Sequence, residues 1–389
     1  MTLYQITIPT KVYFGRNIWQ KALEAQEALL QGNVMIVTTG RSLYRLGYVD
    51  KLKLALQQNK HITNVMIFDN VSANPKLSEV QSGILFGRQE KADIVIGFGG
   101  GSAIDAAKAI AIGIKSKDEI GILFHQGKEP ETTALPIIAI PTTAGTGSEL
   151  SKAAILTDEI HKVKGGIRGN ALYPVTAIVD SCFTESLPLQ ITMETGFDVL
   201  AHAIESYISK AASPYTKMQS ETAIRIAGQC LPQLAECLEN INAREQMSFA
   251  SMIMGINLGN ASTCLPHRLQ YPLGAHTDTS HGAGLAALFT SWLRCEYRFV
   301  PNSVEKILTL LTGNNVHGEL ACTKTIYRFI QSLGLASSLQ EMGITKDQLP
   351  IMASEVSGNI QNDPASQEDG VIQKIYEMAW QGETVCKQS

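Results

Sequence analysis

Apolar residues fall in two patterns along this chain: short runs first, then long periodic stripes. VMIVTT (34–39), VMIFDN (65–70), DIVIGF (93–98) and PIIAIP (136–141) are short apolar runs rich in β-branched residues. Gly40 ends the first, SANP follows the second and GGGS follows the third. Runs of this length, bounded by turn residues, predict strands buried on both faces. Between them lie amphipathic segments, LSEVQSGILFGRQEKA (77–92) and SAIDAAKAIAIGI (102–114). Strands alternating with helices predict βαβ units, hence a parallel sheet with helices on both faces. Ligands bind such sheets at the carboxyl ends of the strands.

Past about residue 185 the strand pattern stops. MQSETAIRIAGQCLPQLAECLENI (218–241), AREQMSFASMIMGINLGNA (243–261) and TKTIYRFIQSLGL (323–335) repeat apolar residues every three and four positions. That period predicts helices. The expected organisation is an α/β domain over residues 1–185 and an all-helical domain over 186–389, divided near SLPLQITMET (186–195). A chain of 389 residues is also long for a single core.

Composition narrows the function by exclusion. A net charge of −4 gives no electrostatic case for nucleic acid or an anionic membrane. Apolar runs such as AALF and AAIL are far too short to span a bilayer. The start, MTLYQITIPTKVYFG, lacks a basic stretch followed by an apolar one, so no export signal is expected. The seven cysteines are scattered and form no CxxC pair. Reduced thiols and a cytoplasmic location are the expectation.

Two loops at predicted strand ends suit a nucleotide. GFGGGSAIDAAK (97–108) sits where the third strand hands over to a helix. Its glycines permit close backbone approach, and Ser102 with the free amides of the helix start suits a phosphate. An ordinary strand–helix turn has the same appearance. The spacing is not GxGxxG and the loop follows the third strand, so this is not the Rossmann fingerprint. PTTAGTGSE (141–149) follows the fourth strand and offers small residues and three threonines. Together the loops favour a nucleotide site more than either does alone.

GFDVLAHAIESYIS (196–209) poses a different problem. Asp198 and His202 stand four residues apart on a buried, Ala-rich helix, which places them on one face. An Asp–His hydrogen bond inside a core satisfies that spacing, and so does half of a metal site. A second ligand pair decides between them. LPHRLQYPLGAHTDTSHGAG (265–284) supplies His267, His276 and His281. If His267 and His281 bracket a bend, they can face Asp198 and His202. One carboxylate and three imidazoles suit Fe²⁺ or Zn²⁺, with a position left for a substrate oxygen.

In combination, these motifs resemble the iron-containing (group III) alcohol dehydrogenases over nearly the whole chain. The resemblance implies an N-terminal dinucleotide-binding α/β domain with a parallel sheet, an all-α C-terminal domain and a cleft between them, as in dehydroquinate synthase-like two-domain proteins. It implies Asp198, His202, His267 and His281 as metal ligands, for Fe²⁺ or alternatively Zn²⁺. GGGSAIDAAK is similar to the family's pyrophosphate loop, implicating Gly99, Gly100, Gly101, Ser102 and Asp105. IAIPTTAGTGSE is similar to its second cofactor loop, implicating Thr142, Thr143 and Thr146; VSANP, with Asn74, is similar to the loop closing over NAD(H) or NADP(H). Gly40, Ser42 and Lys164 complete the implied cofactor contacts. The implied activity is hydride transfer between nicotinamide and a small aldehyde or primary alcohol held at the metal, in a homodimer or larger homo-oligomer.

The chain departs from the family's wording in three places. The family often reads HxMxHPLG, and Tyr271 stands where that second histidine would be. The histidine is associated with proton relay, which leaves Tyr271 or His276 as its replacement. TTGRS (38–42) has no acid after the first strand, where NAD-preferring members often carry Asp. Gly40 and Ser42 leave space for a 2′-phosphate and Arg41 could pair with it. Arg268 directly follows a metal ligand, and Lys162, Lys164 and Arg168 lie in KVKGGIRGNALYP. They are either ordinary paired or solvated charges, or a reader of an anionic substrate. LPHRLQYPLG and TDTSHG resemble a branch that includes phosphonoacetaldehyde reductases. The rivals are a dehydroquinate synthase-like lyase or synthase, and a non-catalytic nucleotide-binding protein.

Overall fold

The computed structural model describes residues 3–127 and 129–382. Its backbone forms two compact units. One comprises Ile8–Thr143 and Gly147–Thr184; the other takes the chain from Glu185 onward, with Ala144–Thr146 and the N-terminal residues through Thr7.

The first unit is built on six parallel strands. Across the sheet they run β1 (Lys11–Gly15), β8 (Thr176–Asp180), β5 (Ile137–Pro141), β4 (Ile94–Gly99), β2 (Gly32–Val37) and β3 (Ile62–Phe68). The four apolar runs became β2 to β5. Every residue of β4 and β5 is buried, as two covered faces require. Sequence reading did not anticipate β1, β8 or the antiparallel hairpin of β6 (Ala153–Asp158) and β7 (Val163–Arg168). Helices α1 (Trp19–Glu24), α2 (Ser42–Arg45), α3 (Tyr48–Gln57), α4 (Leu77–Gln89), α5 (Gly101–Lys115) and α6 (Ile120–His125) lie between the strands in sequence. Helices α4 and α5 pack closely because small residues of one receive large residues of the other. Ile110 and Ile114 fill the space beside Gly83 and Gly87, and Ile84 fills that beside Gly113.

The strand order locates a ligand crevice. From β2 the chain steps outward to the edge strand β3, then returns to the other side of β2 as β4. Connections diverge at the β2–β4 boundary, the point where doubly wound sheets open at their carboxyl ends.

The second unit is helical: α7 (Leu189–Ile208), α8 (Pro214–Glu236), α9 (Ile241–Asn260), α10 (Leu265–Thr277), α11 (His281–Tyr297), α12 (Pro301–Thr312), α13 (Glu319–Ser332), α14 (Leu349–Glu355) and α15 (Val371–Gln381). Its core includes Phe197, Phe289, Trp292 and Tyr376, all fully buried. Asp363 accepts hydrogen bonds from the Leu265 amide and the Trp292 indole, both at 2.9 Å, fixing the start of α10. Gly282, in the first turn of α11, lies so close to α7 that a Cβ there would collide with the Glu194 carbonyl oxygen. Only a residue without a side chain allows that approach.

Gly282→Ala is therefore expected to cost about 1–3 kcal/mol by overpacking. In a thermal melt this reads as a Tm lower by a few degrees. The matched control is Gly121→Ala, where a Cβ meets nothing within 4 Å. Equal melting temperatures for the two variants would contradict the close-approach argument.

Candidate active site

Helix α7 carries Asp198 and His202 on its buried face, α10 carries His267, and α11 begins with His281. All four side chains converge. The Asp198 Oδ1 atom lies 3.5 Å from His202 Nδ1, 3.4 Å from His267 Nε2 and 3.7 Å from His281 Nε2. Donor atoms of Asp198, His267 and His281 all fall within 4.8 Å of one another, and the His202 ring stacks on His267 at 4.3 Å. Asp198 Oδ1, His202 Nδ1 and His267 Nε2 are buried without hydrogen-bond partners.

Those separations test the fit to a metal. Buried polar atoms without partners are costly, so something must satisfy this set. Contacts of this length are poor hydrogen bonds. In a tetrahedral site with bonds of about 2.1 Å, however, neighbouring ligand atoms stand about 3.4 Å apart. The residues present fit a divalent ion.

The rest of each imidazole is already committed. His267 Nδ1 and Glu205 Oε1 are 2.6 Å apart, and Glu205 Oε2 accepts the Cys264 amide at 2.7 Å. His281 Nδ1 and Gln270 Oε1 are 2.6 Å apart. His202 is hydrogen-bonded to the Gly145 backbone. These contacts leave the inward nitrogens to face Asp198, as partners of metal-ligating imidazoles do. Burial disfavours charge on all the groups, yet the field of the cluster competes. His202 falls below its ordinary range because burial prevails over Asp198. His267 rises to about 10 because Glu205 and Asp198 outweigh burial. Asp198 is held well below the usual carboxylate range by His202, His281 and His267, despite its burial.

Glu205, Gln270 and Gly145 were not singled out from sequence. Glu205 had a visible signal: Asp198, His202 and Glu205 follow i, i+4, i+7 along one helical stripe. Gln270 stands three residues after His267, on the same side of α10. Gly145 had no such signal; a Cβ there would press on Thr195 of α7, so the loop can approach that helix only as glycine.

In the α/β unit, Gly40 follows β2, Gly99–Ser102 span the end of β4 and the start of α5, and Thr142 and Thr143 follow β5. Gly99 has φ +153°, and a Cβ there would strike Ala103 and come 3.5 Å from Thr39 Oγ1. No acidic side chain occupies the first turn of α5, which contains Gly101 and Ser102 after the Gly100 cap. The Ala103 and Ile104 amides donate to the Gly100 carbonyl at 3.0 and 3.3 Å, and the positive end of the helix dipole faces an anion there without a competing carboxylate. Ser102 Oγ donates to the Ala73 carbonyl. Asn74 Oδ1 accepts from Lys164 Nζ at 2.9 Å, and the Thr142 amide donates to the Gly99 carbonyl at 2.9 Å. The Thr143 side chain lies beside Gly100. Gly40 has φ +65° with open space around it, and Ser42 begins α2.

Asp105, Thr146 and His276 are placed differently. Asp105 is buried within the unit. One of its oxygens accepts from Ser148 Oγ, the other from the Ile155 amide at 3.0 Å, and Lys108 lies 3.8 Å away. Thr146 groups with Ala144 and Gly145 in the helical unit. His276 is paired with Glu355 at 2.6 Å near the end of α10. Tyr271 is buried one turn beyond His267, with the Arg268 guanidinium 5.6 Å from its ring centre.

The basic residues separate too. Lys162, Lys164 and Arg168 belong to the β6–β7 hairpin region, and Arg168 Nη1 donates to the Gly166 carbonyl at 3.1 Å. Arg268 belongs to the helical unit, is 5% exposed, and bonds Thr263 Oγ1 at 3.3 Å, while its Nε has no partner. Among the described residues no carboxylate lies within ion-pair reach of it.

Comparison with known proteins agrees with this architecture. Residues 9–181 match the family model for iron-containing alcohol dehydrogenase, and residues 192–380 match the C-terminal model of the Fe-containing alcohol dehydrogenase family. The chain is 32% identical to a 1,3-propanediol dehydrogenase of Klebsiella pneumoniae over 390 residues, covering 97% of this chain and 99% of that one. It is 31% identical to NADH-dependent butanol dehydrogenase A of Clostridium acetobutylicum, covering 92% and 94%. Among solved structures, the sulfoacetaldehyde reductase from Bifidobacterium kashiwanohense in complex with NAD⁺ superposes with a TM-score of 0.86 at 26% identity, covering all of both chains. Two matched domain models and nearly full-length relatives show that the chain belongs to the iron-containing alcohol dehydrogenase family.

Proposed function

We propose that this protein reduces small aldehydes to primary alcohols with NADH or NADPH, using a divalent ion held by Asp198, His202, His267 and His281. The observation that carries this reading is the set of three imidazoles around one orphaned carboxylate oxygen. Iron is the ion the family implies, and Zn²⁺ suits the same donors. Once bound, such an ion supplies Lewis acidity toward a carbonyl oxygen. Reduction takes a hydride from the dihydronicotinamide and one further proton.

The chain's own residues bind, orient and protonate. Gly99–Ser102 present the start of α5 to the cofactor pyrophosphate, while Asn74, Lys164, Thr142 and Thr143 hold the rest of it. The open space at Gly40 and the exposed Arg41 support acceptance of a 2′-phosphate. Tyr271 is favoured over His276 for the proton, since His276 is paired with Glu355 while Tyr271 shares the His267 face of α10. Arg268 supports an anionic aldehyde: a buried guanidinium without a carboxylate partner is costly until an anion meets it. The sulfoacetaldehyde reductase among the similar structures adds to this reading. The protein is proposed to work as a homodimer or larger homo-oligomer.

The deciding experiment is NADH and NADPH oxidation by anaerobically reconstituted Fe²⁺ or Zn²⁺ protein, with neutral and anionic short aldehydes. Turnover should require the metal and proceed with both nucleotides; metal-loaded protein that turns over none of the aldehydes would refute the assignment. Arg268→Ala should raise KM for anionic aldehydes about 10- to 100-fold, the worth of a hydrogen bond to a charged group. Neutral aldehydes should be little affected, and an equal loss on both classes would remove Arg268 from substrate recognition. Glu205→Gln should weaken metal binding about 10- to 100-fold in chelator competition. Unaltered metal retention would make Glu205 a purely structural partner of Cys264.

A further inference from the structure

We propose that His125, Asp158 and His161 form a second site for a divalent transition-metal ion, on the α/β unit and independent of the Asp198 cluster. His125 ends α6, Asp158 ends β6, and His161 lies in the turn leading to β7. None of these elements contributes to the Asp198 cluster.

Asp158 supplies the fixed half of the site. Its side chain is only 5% exposed, and Oδ1 accepts the amides of Ile160 and His161 at 2.9 and 3.0 Å. Those bonds lock the carboxylate in the hairpin turn and aim Oδ2 at two imidazoles. His125 Nε2 lies 2.9 Å from it and His161 Nδ1 2.7 Å. The two rings are perpendicular, at 89°, with centres 5.8 Å apart, so they flank the oxygen as two walls. Phe124 packs edge-on against the His125 ring at 5.0 Å.

Two imidazoles converge on the same carboxylate oxygen, Oδ2. The three donor atoms all lie within 4.8 Å of one another. Two imidazole nitrogens and one carboxylate oxygen form a donor set for Zn²⁺, Co²⁺, Ni²⁺ or Cu²⁺, with remaining positions for water. The two side chains that must move are the accessible ones: His125 is 50% exposed and His161 66%. Small ring rotations would open the contacts to ligand-edge spacing. Each neutral imidazole would then carry its proton on the far nitrogen, Nδ1 of His125 and Nε2 of His161, leaving the near lone pair for the ion. The bound ion would cross-link α6 to the β6–β7 turn and stabilise the folded chain by mass action.

The test is equilibrium dialysis of the iron-loaded enzyme against Zn²⁺, with total iron plus zinc per chain counted by elemental mass spectrometry. Counting the sum makes exchange of iron for zinc at the Asp198 cluster invisible. Wild type should hold one ion more than the double variant His125→Ala/His161→Ala, and His161→Asn should weaken the added site about 10-fold or more. Iron-supported aldehyde turnover before zinc addition should be the same in all three proteins, which verifies folding without entering the count. Equal metal totals in wild type and the double variant would overturn the proposal and leave the cluster as a hydrogen-bonded clamp on the turn.

Discussion

The helical unit is organised around one buried carboxylate. Asp198 lies on α7 with almost no solvent contact, and desolvation alone would press it toward its neutral form. Three imidazoles from α7, α10 and α11 instead keep it ionised, while standing too far from its Oδ1 for good hydrogen bonds. That combination is unfavourable until a cation occupies the centre. Neighbouring contacts make sense on those terms. Glu205 and Gln270 each hold the outer nitrogen of one imidazole, and the Gly145 backbone holds His202. Gly282 lets α11 approach α7 closely enough for His281 to arrive. Loosening any of these would move a ligand by fractions of an ångström, a displacement to which a preorganised site is sensitive.

The α/β unit solves the opposite electrostatic problem. The start of α5 presents partial positive charge, and no acidic side chain occupies its first turn. Gly99 permits the sharp entry into the helix, and Ser102 ties the 71–75 loop to it through Ala73. Asp105 illustrates how burial reassigns a residue. It stands only three positions beyond Ser102, yet faces the interior, where Ser148, Ile155 and Lys108 meet it. Its place is in a buried network joining α5 to Ser148 and to β6, whereas Ser102 lies at the start of the helix.

Much of this was legible from residue pattern alone, and the exceptions have physical reasons. Strands β2 to β5 are covered on both faces, so their apolar runs stand out. Strand β1 is an edge strand of only partial burial, and β7 contains two adjacent glycines, so neither carries a strong strand signature. The proposed metal ligands were readable because helical spacing pairs Asp198 with His202 and because histidines crowd residues 267–281. Glu205 lay on the same stripe but is an ordinary residue type for a helix, so nothing demanded a partner for it. Asp363 was beyond reach: it caps α10 from nearly one hundred positions away, and only the folded chain brings it there.

The two imidazole–carboxylate clusters differ in what they can do without an ion. At Asp158 the contacts of 2.7 and 2.9 Å are sound hydrogen bonds, and the turn amides satisfy the other oxygen. That cluster is complete as it stands, so an ion binding there must compete with bonds already made. At Asp198 the corresponding separations of 3.4, 3.5 and 3.7 Å satisfy no hydrogen bond at Oδ1. Held apart by Glu205, Gln270 and the Gly145 backbone, its imidazoles cannot readily close on the carboxylate. The buried cluster therefore keeps its inward donor atoms unsatisfied, whereas the exposed one holds the turn together. The same chemical groups are left unsatisfied in one place and hydrogen-bonded in the other, and the difference lies in their surroundings, not in their identity.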